Sequence, residues 1–165
     1  MDSFRRALKV ADRLWWRFGV AAVCDEFIVG REFQVGVVEA RRGAFYITAI
    51  VELHFPSAPP GRGFKTEAVT RKGQRRRSYE VSVRPALLSR PLKTKMAKIA
   101  RAAVNVLGVR GYAKVDMRMD DEENITVIEV NPNPGLLSTS EIWRRPNFGT
   151  NLQRIINSAL RRSRQ

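Results

Sequence analysis

Apolar positions along the chain fall into two repeating patterns, and the pattern switches several times. In the first eighteen residues, Phe4, Ala7, Leu8, Ala11, Leu14, Trp15 and Phe18 recur at spacings of three and four. That spacing predicts an amphipathic helix, capped by Asp2 or Ser3 and stopped by Gly19. Strand-like runs follow at 21–29, 32–40 and 45–53, with Gly30-Arg31 and Arg41-Arg42-Gly43 as turns, which predicts an antiparallel meander. From 54 to 78 the periodicity dissolves into "PSAPPGRG" and "RKGQRRR", a long basic loop. A short strand is expected near 79–84. Pro91 then opens a helix to about 107, with Met96, Ile99, Ala100, Ala103, Val104 and Leu107 on its apolar face. A hairpin follows, 112–120 and 125–131, around "DEEN". The last helix is expected over 150–162 with Leu152, Ile155, Ile156 and Leu160 facing inward.

The hairpin carries the candidate chemistry. With its turn centred on Asp121–Asn124, Asp116 lies opposite Glu129 and Lys114 opposite Asn131. Side chains alternate along a strand, so these four share one face. Val115, Met117, Met119, Ile128 and Val130 are then expected on the core face. Two carboxylates directly across a ladder repel and need a compensating charge. A divalent cation held by hard oxygen donors supplies one, and Mg²⁺ or Mn²⁺ suits that donor set. The competing reading is a surface strand with a Lys114–Glu129 ion pair and no metal.

Composition narrows the setting. The chain has 165 residues, 44% hydrophobic and 28% charged, enough for one domain with a real core. Cys24 is its only cysteine, which excludes an internal disulfide and a cysteine-based zinc site. No apolar run approaches the roughly 20 residues that span a bilayer. The N-terminus is too charged for a secretory signal, so the expected address is the cytoplasm. Thirty basic residues against sixteen acidic ones leave a net charge of +14. Nine of the acids sit in two short segments, 25–32 and 116–129, so the remainder is more basic still. Polyanion binding is therefore a candidate function.

Several separated segments also carry a family likeness. "GYAKVDMRMD" followed by "TVIEVNPNPGL" resembles the metal-binding end of ATP-grasp enzymes, and among them the D-alanine–D-alanine ligases. "DEFIVGREFQVGVV" resembles the hinge and ribose-binding segment of that family, and "RPALLSRPLKTKMAKIARAAVNVLG" the helix between. The likeness runs from about 20 to 162. It implies an α+β fold, the C-terminal ATP-grasp lobe, with a mainly antiparallel sheet flanked by helices. It also implies ATP- and Mg²⁺-dependent joining of a small carboxylate to an amine through an acyl phosphate. Carried over by position, Asp116, Glu129 and Asn131 match the metal ligands, and Glu32 matches the carboxylate that holds the ribose hydroxyls. Asp25, Glu26, Phe27 and Ile28 match the hinge that meets the adenine. Gly135 sits where a backbone N–H approaches the reacting centre, and Ser140 falls in the substrate-side loop.

The chain also departs from that pattern. The N-terminal domain and most of the central lobe, with its glycine-rich phosphate loop, have no counterpart. Lys114 stands where the ligases carry an arginine, and an ammonium lacks the planar fork. A family lysine is replaced in Glu67-Ala68-Val69, leaving Lys65 or Lys72 as stand-ins. A separately encoded lobe or a homo-oligomer could complete the site. The alternatives are a non-catalytic nucleotide- or metal-binding module, or a basic nucleic-acid-binding protein on the same scaffold.

Overall fold

A computed structural model describes residues 2–41, 43–58, 63, 81–136, 143 and 148–163. Its elements are helix α1 (Asp2–Phe18), strands β1 (Arg31–Arg41), β2 (Ala44–His54) and β3 (Ser82–Pro85), helix α2 (Arg90–Val106), strands β4 (Tyr112–Met119) and β5 (Ile125–Asn131), and helix α3 (Phe148–Arg162). The five strands form one antiparallel sheet in the order β3-β2-β1-β4-β5. The expected α+β architecture is what the chain adopts. Ser140, Lys65, Lys72, the Glu67–Val69 stretch and most of the 54–78 loop lie outside the described residues, as do the side chains of Asp2 and Ser3.

The two faces of the sheet differ. Phe33, Val35 and Val37 on β1 and Ala113, Val115, Met117 and Met119 on β4 alternate onto one face. There they pack with Leu92, Met96, Ala100 and Val104 of α2, spaced four apart along one helix side. Ser89 caps that helix, its hydroxyl accepting from the Leu92 N–H, and Pro91 occupies the first turn where no amide donor is needed. The opposite face holds a smaller cluster of Val38, Val51 and Trp143, joined by Tyr112 and by Phe148 and Ile155 of α3. Beyond that cluster the same face turns polar.

Four expectations are corrected. Residues 21–29 join no ladder, although their composition suits a strand; the meander has two of its three expected strands. Gly30 then lets the chain enter β1 at φ +148°, so close to β4 that a Cβ there would run into the Met119 carbonyl oxygen. Leu107 is exposed beyond the end of α2 rather than packed. Helix α3 docks through Phe148 and Ile155 and through the buried polar Asn151 and Ser158, and leaves Ile156 and Leu160 exposed. A buried serine is accommodated because β1 offers it a buried carboxylate. Glu39, 2% exposed, accepts from the Ser158 hydroxyl (3.0 Å), the Gly111 N–H (2.8 Å) and Arg110 Nε (3.0 Å). Burial, the largest influence on Glu39, pushes its pKa up; those bonds and the Arg110 charge together bring it below the ordinary value.

The fourth correction lies in the hairpin. Its turn pairs Met119 with Ile125 and Met117 with Val127, one step out of the register expected from a turn centred on Asp121–Asn124. A β-bulge at Ile128 then restores the expected pairs, Asp116 with Glu129 and Lys114 with Asn131. Without it, Glu129 would face Val115 and the apolar core, where a carboxylate is costly. Ile128 is therefore the extra residue, 56% exposed instead of packed, while Ile125 and Val127 join Val130 against the core.

Candidate active site

The polar face is built in rows that run across three strands. Glu32 on β1 lies beside Arg118 on β4 and Thr126 on β5. Gln34, Asp116 and Glu129 form the next row, and Gly36, Lys114 and Asn131 the one after. Residues paired across an antiparallel ladder point the same way, so every side chain in these rows shares one face. The sheet thus brings Lys114, Asp116, Glu129 and Asn131 onto one face, and the β1–β4 pairing adds Glu32 to it.

On this face Lys114 does not make the expected ion pair with Glu129. Lys114 Nζ donates to Asp116 Oδ2 at 2.7 Å rather than to Glu129, and both side chains are largely buried, 14% and 17% exposed. Asp116 Oδ1 is buried with no hydrogen-bond partner. Glu129, across the ladder, is exposed. Asn131 Oδ1 accepts from the Asn133 N–H at 2.9 Å, an Asx turn that holds the amide at the end of β5 and leaves its oxygen a second lone pair. The Tyr112 hydroxyl donates to Asn133 Oδ1, 3.0 Å away, which ties the same turn to β4.

These donors fit a hard divalent cation. They are all oxygens, and one is a buried carboxylate oxygen with nothing else to bind. Among the described residues no three His, Cys, Asp or Glu side chains gather as metal ligands, so the set rests on two carboxylates and an amide. That suits Mg²⁺, which keeps several waters and takes few protein ligands.

The Glu32 end of this face is organised by a residue that the sequence reading passed over. Arg118, 5% exposed at its side chain, donates to Glu32 Oε2 (2.9 Å) and to the carbonyl oxygens of Ile28 (2.7 Å), Gly30 (3.0 Å) and Gly63 (3.0 Å). Its guanidinium also stacks 4.7 Å from the centroid of Phe27. Burial lowers its proton affinity and Glu32 restores part of it; an arginine stays charged throughout. One side chain thereby fastens the 27–30 segment, which joins no ladder, to the sheet. The signal was available: Arg118 has the same parity as Asp116 on β4, and an arginine on a buried strand needs an acid. What the alternation did not reveal was the β1–β4 pairing that brings Glu32 to it. Asp25 and Glu26 are exposed, Phe27 is 43% exposed and Ile28 is half-buried. A cleft of about 370 Å³ opens at Glu32, lined also by Gly30, Arg31, Leu53, His54 and Gly63; residues 25–28 do not line it.

Gly135 follows the buried Pro134 just beyond β5 and is exposed; a Cβ there would meet nothing within 4 Å. The described packing does not itself demand glycine at that position.

A family model described as "D-ala D-ala ligase C-terminus" matches residues 5–160. The chain belongs to the D-alanine–D-alanine ligase C-terminal family. It is 32% identical over 126 residues to the D-alanine–D-alanine ligase of Acidiphilium cryptum, covering 76% of this chain and 37% of that one. With the ligase of Granulibacter bethesdensis it shares 33% over 129 residues, 76% of this chain and 38% of the relative. Among solved structures, the D-alanine–D-alanine ligase from Bacillus anthracis complexed with ATP superposes with a TM-score of 0.69 at 18% identity, over 95% of this chain and 47% of that one. An L-amino acid ligase from Bacillus licheniformis superposes at 0.56 with 26% identity, over 79% of this chain and 28% of that one. The chain therefore spans less than half the length of these relatives. None of its described helices is long and apolar enough to cross a membrane.

Proposed function

We propose that this chain is the ATP- and Mg²⁺-binding C-terminal part of an ATP-grasp ligase that joins a small carboxylate to an amine. The observation that carries this reading is Asp116: Lys114 engages one carboxylate oxygen and leaves the other buried without a partner, beside Glu129 and Asn131. In this reading Asp116, Glu129 and Asn131 hold Mg²⁺ or Mn²⁺, Glu32 receives the ribose hydroxyls, and Asp25, Glu26, Phe27 and Ile28 meet the adenine. Lys114 orients Asp116 and places a cation near the reacting groups. The Gly135 backbone N–H approaches the reacting centre, where a side chain would meet the substrate rather than the protein. The bound metal would screen phosphate oxygens as charge moves between them.

The remaining substrate contacts come from outside these 165 residues, which span less than half of the ligases they match. Exposed apolar residues support a missing partner: Phe4, Leu8, Trp15 and Phe18 line α1 and are 48–70% exposed, and Ile156 and Leu160 lie open on α3. A cytoplasmic setting belongs to the same reading. The test is calorimetric titration of the chain with ATP, with and without Mg²⁺, repeated on Asp116→Asn and Glu129→Gln. Loss of a charged ligand should weaken Mg²⁺-dependent binding by about tenfold or more. Unchanged affinity in both variants would remove the metal from this reading. A non-catalytic nucleotide-binding module is the second reading, favoured by Lys114 standing where the ligases carry an arginine. Turnover measured with the remaining ligase segments supplied separates the two.

A further inference from the structure

The row that contains Asp116 holds a second unsatisfied group. Gln34, opposite Asp116 on β1, is 8% exposed, and its side-chain Nε2 is buried with no hydrogen-bond partner. Cross-strand neighbours on one face bring their Cβ atoms to about 4.5–5.5 Å, so a glutamine and an aspartate placed this way are within reach of each other. Here a donor and an acceptor stand side by side, both buried, and do not bond. Each carries a desolvation cost that a mutual bond would relieve. The arrangement makes sense when a third group lies between them.

That group must accept a hydrogen bond from an amide N–H and also bind whatever the Asp116 oxygen holds. A carboxylate oxygen accepts protons or ligates cations. An anionic oxygen that shares the cation with Asp116 and accepts from Gln34 meets both requirements. Phosphate is the chemical class that does so, because each phosphoryl group offers several such oxygens. The rest of the row agrees: Val51 of the smaller core cluster closes the β2 side, and the exposed Glu129 opens the β5 side.

Resting on the ATP–Mg²⁺ reading above, we propose that Gln34 is a ligand-binding residue, its side-chain amide donating to an oxygen of the nucleotide's phosphate chain beside Asp116. The donor is specific to that contact. Glutamine brings no charge to the metal and does not titrate, so it contributes geometry and one hydrogen bond.

The experiment compares the unaltered chain with Gln34→Leu by calorimetric titration with ATP and Mg²⁺, alongside thermal unfolding of both without nucleotide. Leucine matches the buried volume closely and removes the unsatisfied amide, so the fold should keep or slightly raise its melting temperature. The expected result is a roughly tenfold or greater loss of Mg²⁺-ATP affinity with no loss of thermal stability. Equal affinity in the two proteins overturns the proposal and assigns the space between Gln34 and Asp116 to a bridging water. A parallel fall in affinity and in melting temperature also overturns it, because the glutamine would then serve packing. Failure of the unaltered chain to bind ATP with Mg²⁺ overturns the nucleotide reading, and this inference with it.

Discussion

Removing the ammonium beside Asp116 should make the stability of the chain depend on metal. In Lys114→Met the stem of the side chain is kept and the charge is lost. Asp116 then has two unpartnered oxygens in a setting where its side chain is only 17% exposed. Breaking a fully buried pair costs about 3–5 kcal/mol; the residual exposure of both groups lowers that to about 2–3 kcal/mol. With a urea slope of about 2 kcal/mol per molar for a domain of this size, the unfolding midpoint should fall by roughly 1–1.5 M. In the proposed site Mg²⁺ should replace the missing cation. At a free concentration ten times its dissociation constant it returns about 1.4 kcal/mol, or roughly 0.7 M of midpoint. The assay is urea unfolding followed by circular dichroism, with and without Mg²⁺, on both proteins. Lys114→Met/Asp116→Asn should be less destabilised than Lys114→Met alone, since it leaves no buried charge. An unchanged midpoint in Lys114→Met would refute the energetic role of the pair. A fall that Mg²⁺ leaves untouched would refute the placement of a cation at Asp116.

Three further outcomes are expected. Arg118→Met should release the 27–30 segment from the sheet, so the amides near Ile28 and Gly30 should exchange hydrogen faster while the β1–β2 ladder keeps its protection; uniform exchange across both would refute the tether. Glu39→Gln should cost about 1–3 kcal/mol at neutral pH. Because the folded pKa of Glu39 lies below its ordinary value of 4.5, its ionised form contributes stability above that value, and the contribution disappears as pH falls through the folded pKa. Unfolding curves of the two proteins should therefore converge in acid, and a constant gap down to low pH would contradict the assignment. Gly135→Ala should leave the melting temperature within about 1 °C, since the Cβ meets open space, while weakening substrate-dependent turnover when the remaining ligase segments are supplied. A large stability loss would show that the glycine serves the fold.

Much of this protein follows from local pattern. The amphipathic spacing of α1 and α2, the Ser89 cap with Pro91, and the alternation along β1, β2 and β4 each depend on neighbours within a few residues. Side-chain periodicity and capping chemistry are local properties, so the elements and the polar face of β4 and β5 were legible from sequence. So were Lys114, Asp116, Glu129 and Asn131 as one group. The pairing of Asp116 with Glu129, however, holds only because two departures cancel: the turn closes one step early, and the bulge at Ile128 takes up the difference. Cross-strand register is settled by which side chains the core accepts, and that requires the whole sheet.

Other features were decided only in three dimensions. The 21–29 stretch has the composition of a strand but finds no ladder partner. The docked side of α3 carries Ser158 because Glu39 waits on β1, more than a hundred residues away in sequence. Arg118 draws Ile28, Gly30, Glu32 and Gly63 to one guanidinium, and Gln34 meets Asp116 across a ladder that the hairpin alone does not contain. Local sequence determines which face each strand presents; only the assembled sheet determines what stands opposite it, because a buried polar group is satisfied or left waiting by residues distant in the chain.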